Sequence, residues 1–73
     1  MKREWKKHLK TLEEIDKKII NSGLSEDLWY LQMSYEAEKA GIPSDLIEEY
    51  LYGNLVVING KPYSMNGKEI KIA

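Results

Sequence analysis

The chain has 73 residues, 11 Lys or Arg against 12 Asp or Glu, one His and no Cys. Disulfides and thiolate metal sites are therefore excluded, and a core of this size supplies only roughly 3–5 kcal/mol unless association or a partner adds to it. The charge is nearly balanced but segregated: residues 1–24 carry seven basic and four acidic side chains, residues 25–50 one and seven, and residues 51–73 three and one. An acidic centre between basic ends argues against a nucleic-acid footprint on the central segment.

From Lys2 to Asn21 the periodicity predicts a helix, with Trp5, His8, Leu12, Ile15 and Ile19 recurring at three and four residues and Leu9 and Ile20 widening the stripe. Glu13 with Lys17 and Glu14 with Lys18 stand at i,i+4 on the other face and read as solvated charge. Asn21-Ser22-Gly23 ends the helix. Ser25 is an N-cap candidate, followed by Glu26 and Asp27 at the positive end of the next helix dipole.

That second helix, 26–40, has two apolar stripes: Leu28, Leu31 and Tyr35 on one, Trp29, Met33, Ala37 and Ala40 on the other. The first helix is expected to cover one of them. Two coverings stay open for the other, either a second chain or the third helix and the C-terminal strands. Gly41 breaks the helix, Pro43 holds Ile42 extended, and a third helix runs over 44–52 with Leu46, Ile47, Tyr50 and Leu51 inward and Asp45, Glu48 and Glu49 outside.

Beyond Gly53 the period changes from helical to alternating. Leu55–Ile58, Lys61–Met65 and Lys68–Ile72 are separated by Asn59-Gly60 and Asn66-Gly67, the strongest two-residue hairpin signals. Two-residue turns pair Val56 with Tyr63 and Tyr63 with Ile70, placing Val56, Ile58, Tyr63, Met65, Ile70 and Ile72 on one face. Pro62 in the middle strand has no N–H for a ladder. The expected fold is α+β in one small domain over 1–73. It consists of a basic helix (1–24), a helix-turn-helix hook (25–52) and a three-stranded antiparallel β-meander (53–73).

No Gly-rich phosphate loop, Cys nucleophile or partnered Ser appears, and the adjacent pairs Glu13-Glu14 and Glu48-Glu49 point to different sides of a helix, so no enzyme, cofactor or metal is expected. The start of the chain runs into charged sequence. No stretch approaches the roughly 20 apolar residues that span a bilayer. A cytoplasmic protein without a membrane partner is expected.

Ala37, Gly41, Ile42 and Ile47 stand at the offsets of a helix-turn-helix. The would-be recognition helix presents Asp45, Glu48 and Glu49, which repel phosphate, so nucleic acid is not the expected partner. The stretch Glu36, Ala37, Ala40, Ile42, Ile47, Tyr50, Leu51 resembles, without a gap, the hook of the Sin-type antirepressor family, E-A-x-x-A-x-I-x-x-x-x-I-x-x-Y-L. In the same register Asp27 falls on a family acid and Tyr30 on a family Trp, so the likeness covers residues 27–51. It departs from the compact members in its basic first helix, its strand tail and in Tyr30 with Trp29 beside it. The resemblance implies a hook that interlocks with the same motif on a repressor and displaces the repressor's own dimer.

The expected function is accordingly a small regulatory module for protein–protein interaction, an antirepressor or other inhibitor, phage- or mobile-element-borne, that binds a transcription regulator. A homodimer is expected when the partner is absent. The alternatives are a small DNA-binding regulator using the same turn, and a structural or assembly protein of a phage or mobile element. The expected partner-binding residues are Trp29, Tyr30, Met33, Ala37, Ile42, Asp45, Ile47, Glu48, Glu49, Tyr50 and Leu51. Trp and Tyr serve as anchors, and the three acids rim the site and steer a basic partner.

Overall fold

Three helices form first along the chain, and a short hairpin closes one side of them. The computed structural model describes residues 1–72. After a 3₁₀ turn at Arg3–Trp5 come α1 (Lys6–Asn21), α2 (Glu26–Lys39) and α3 (Ser44–Leu51), then β1 (Val56–Ile58) and β2 (Lys61–Tyr63). The helix bounds fall within a residue or two of those read from the periodicity, apart from the opening turn of α1, which is 3₁₀.

Each helix is held by the face it buries. In α1 these residues are Leu9, Leu12 and Ile19, with Trp5 and Ile15 packed beside them and the lysines turned outward. Met33 and Ala37 serve α2, and Leu46, Ile47 and Tyr50 serve α3. Leu9, Leu12, Met33 and Leu46 are the largest fully buried side chains, so the core lies where the three helices meet. Ser25 sits in the extended N-cap conformation but makes no side-chain cap bond; its carbonyl accepts the Trp29 N–H at 2.8 Å.

The turn of the hook follows from Gly41. Its N–H donates to the Glu38 carbonyl at 3.0 Å and the next N–H, of Ile42, to the Ala37 carbonyl at 3.1 Å. This Schellman closure requires a left-handed residue, and Gly41 has φ 81°. Ile42 then drops into the core, and Pro43, with φ −58°, leads into α3.

The hairpin packs against α1. Asn59 (φ 52°) and Gly60 (φ 78°) both take positive φ, as a type I′ turn demands, and the register pairs Val56 with Tyr63, Val57 with Pro62 and Ile58 with Lys61. Glu13 clamps this turn: its two carboxylate oxygens accept the Asn59 and Gly60 N–H groups at 2.7 and 2.9 Å. A side chain read as solvated charge therefore ties α1 to the hairpin.

The expected three-stranded meander is not formed. The sheet has two strands, and the tail adds only an isolated bridge between Tyr63 and Glu69. Two causes act together. Asn66-Gly67 does not make a two-residue turn. The Gly67 N–H closes on the Ser64 carbonyl at 3.0 Å and the Ser64 N–H reaches the Lys68 carbonyl at 2.8 Å, giving a three-residue loop that slips the register by one. Pro62 then stands opposite Ile70. It accepts the Ile70 N–H at 2.9 Å but has no proton to return to the Ile70 carbonyl, so the ladder stops.

The slip divides the six residues expected on one face. Ile70 and Ile72 pack against the core, while Val56, Ile58 and Met65 are exposed and Leu55, Val57 and Pro62 are buried. Glu13→Ala is expected to lower the unfolding free energy by about 1 kcal/mol, since it removes two charge-assisted bonds at a partly exposed site. Glu13→Gln should lose less. Thermal unfolding followed by circular dichroism measures both, and an unchanged melting temperature for Glu13→Ala would show that the clamp contributes nothing.

Candidate protein-interaction surface

The arrangement of α2 and α3 is set by a carboxylate on α1. Asp16 falls in the buried stripe of α1, between Leu12 and Ile19 at helical spacing, where an acid must find partners. Its Oδ1 accepts the Trp29 indole N–H of α2 at 2.6 Å and its Oδ2 accepts the Tyr50 hydroxyl of α3 at 2.5 Å. One side chain thus bonds to both other helices and fixes which face of α2 looks inward. Burial first, then the bond to Asp16, pushes Tyr50 ionisation well above the ordinary phenolic range.

This geometry divides the eleven expected partner-binding residues. Met33, Ala37, Ile42, Ile47 and Tyr50 are buried in the chain's own core, and Trp29 and Leu51 are half-buried. Tyr30 and Glu48 are exposed and line one shallow groove between α2 and α3, of about 260 Å³, with Leu51, an edge of Ile47, Glu38 and Tyr52. Glu49 lies elsewhere, lining a cleft with Met1 and Trp5. Asp45 is engaged within the chain: its Oδ2 accepts the Lys2 ammonium at 2.6 Å, a contact that holds its carboxyl below the usual range and raises Lys2. Both groups are exposed, so this pair contributes little to stability. Asp45 and Glu49, one helical turn apart on α3, thus face the N-terminal segment, and of the three acids Glu48 is the one that lines the α2–α3 groove.

The apolar surplus of α2 appears in different residues. Leu28, Leu31 and Tyr35 are 50%, 64% and 59% exposed, because the hairpin packs on α1 and leaves this stripe open. The Lys39 ammonium lies 5.9 Å from the Tyr35 ring centroid, a cation–π contact. At the N-terminal end of α2 a second groove, of about 640 Å³, runs between Ile20, Leu24, Trp29 and Tyr30, with Glu26 and Asp27 on its rim. Tyr30 lines both grooves.

Sequence reasoning recognised the Leu28–Leu31–Tyr35 stripe but not that it is the exposed one, and it missed Asp16, whose signal is an acid in the buried stripe of α1. Among the described residues no three His, Cys, Asp or Glu side chains converge, and no helix is long and apolar enough to cross a membrane. No protein-family model, curated protein or solved structure matches the chain.

Asp16→Ala is expected to destabilise by about 2–3 kcal/mol, because the Tyr50 hydroxyl is left buried without an acceptor. Tyr50→Phe removes the buried donor and leaves the half-buried Asp16 oxygen to water, and should cost about 1 kcal/mol. Tyr50 also makes stability pH-dependent. Below about pH 10, where an unfolded tyrosine ionises, folded and unfolded states both hold the phenolic proton and the contribution is complete. Above it the unfolded chain releases the proton while the folded chain keeps it, so stability falls with rising pH. Urea unfolding between about pH 9 and 11 should show a flatter decline for Tyr50→Phe than for the parent; equal slopes would remove Tyr50 from the account.

Proposed function

We propose that this chain is a small regulatory protein-interaction module that binds a transcription regulator or another protein through α2 and α3 and inhibits it, as an antirepressor does. The observation that carries the reading is the open groove between these helices, where Tyr30, Leu51 and Tyr52 stand around Glu38 and Glu48. Aromatic side chains in a shallow groove of mixed polarity offer large contact area at small rotamer cost, and the acids favour encounter with a basic surface. No catalytic step is part of the proposal, and a cytoplasmic setting suits it.

The mode of contact differs from the interlocking that the Sin-type resemblance implies. Exchange of whole helices with a repressor would uncover Met33, Ala37, Ile47 and Tyr50, which lie in the chain's own core, and would separate Tyr50 from Asp16. Docking on the outer edge of the hook leaves that core intact.

The reading is tested against its DNA-binding alternative by fluorescence anisotropy of a labelled duplex. The expected result is no binding at micromolar protein and physiological salt. Binding that weakens steeply as salt rises would overturn the proposal. Affinity capture from cytosolic extract, followed by mass spectrometry, is expected to return a protein that Tyr30→Glu no longer retains while melting as the parent does. Against that protein, Glu48→Lys is expected to slow association by roughly tenfold and to change dissociation little.

A further inference from the structure

Helix α2 is apolar on two opposite sides, and only one is used within the chain. Trp29, Met33 and Ala37 turn inward, whereas Leu28, Leu31 and Tyr35 turn outward, preceded by the exposed Leu24. Within the helix, positions 28, 31 and 35 are spaced three and four, the spacing at which a second helix can keep its side chains seated along a seam, and Leu24 extends this apolar surface from the turn before it. Asp27 and Glu38 flank this seam on one side, and at its N-terminal end it runs into the groove walled by Ile20, Leu24, Trp29 and Tyr30.

We propose that the outward face of α2 is the docking site for a basic amphipathic helix of another protein. That helix lays an apolar stripe along Leu24, Leu28, Leu31 and Tyr35 and turns Lys or Arg toward Asp27 and Glu38. The inference rests on the protein-interaction reading and names the chemistry of the partner. Charge selects this occupant. Within Glu26–Lys39 four acids stand against one lysine, and that lysine already lies over the Tyr35 ring.

A second copy is disfavoured on the same ground. Antiparallel pairing centred on Leu31 sets Glu26 of one copy against Glu36 of the other, and parallel pairing sets every acid against itself. The basic α1 of a second copy fits no better, because Ile20 is its single exposed large hydrophobic and it has no outward apolar stripe.

The test uses the full chain and two synthetic helical peptides with the same leucine stripe, one flanked by Lys and the other by Glu. Each is fluorescein-labelled and titrated by anisotropy at physiological salt. The Lys-flanked peptide is expected to bind at least about tenfold more tightly than the Glu-flanked one. Leu28→Ser combined with Leu31→Ser should weaken it at least about tenfold with the melting curve unchanged, since both positions are exposed. Leu31→Lys alone serves as the second variant and is expected to do the same.

Equal affinity for the two peptides, no binding of either, or binding insensitive to both variants overturns the proposal. So does a parent chain that sediments as a dimer and becomes monomeric on Leu31→Lys, which would give the face to a second copy. None of these outcomes depends on the duplex experiment, so the docking site and the functional reading fail separately.

Discussion

The three-helix arrangement depends on a carboxylate placed where an apolar side chain would be expected. Asp16 stands in the stripe of α1 that otherwise consists of Leu9, Leu12 and Ile19, and its two oxygens bond to Trp29 and Tyr50. A hydrophobic contact at this point would tolerate rotation of α2 about its own axis, since α2 is nearly as apolar outside as inside. A hydrogen bond to an indole N–H does not. Among the described residues no buried side-chain nitrogen or oxygen lacks a partner, so the core gains direction without leaving a polar group stranded.

How much of this was legible follows the strength of each local signal. The helix bounds were readable because Gly41, Pro43 and the periodic apolar residues agree with one another. The inward face of α2 was not, because its two stripes are equivalent to any count of apolar positions. The distinction lies in Trp29 having an N–H to donate and Asp16 standing opposite it, which is a tertiary fact. The first Asn-Gly turn behaved as its residues demand. The second did not, because Ser64 precedes it by two positions: Ser at the first and Gly at the fourth position of a type I turn is an equally strong pattern, and the Ser64 hydroxyl donates to the Asn66 side chain. With Pro62 opposite, the longer loop prevailed and the face expected for Ile70 changed.

The site was legible in composition more than in position. Acidic charge and apolar surplus in residues 25–50 both appear at the surface, but five of the eight apolar residues expected to bind a partner are buried in the core. The exposed one is Tyr30, which lines a groove on either side of α2. In α2 the side chains that fold the chain and those left exposed lie on opposite faces. This separation makes surface substitutions informative, because Leu31 or Tyr30 can be changed without entering the core.

Pro62 has an effect on the behaviour of the chain in company. Val56 and Ile58 leave apolar side chains exposed on the hairpin, and a sheet with a free edge and such residues is a template for strands from neighbouring molecules. A complete third strand would have carried an unbroken row of donors and acceptors to the outside of the tail. By withholding a proton from the Ile70 carbonyl, the proline leaves the tail irregular. An incoming strand on that side then meets a broken ladder. The residue that shortens the sheet thereby makes that side a poor template for backbone pairing with a neighbouring molecule.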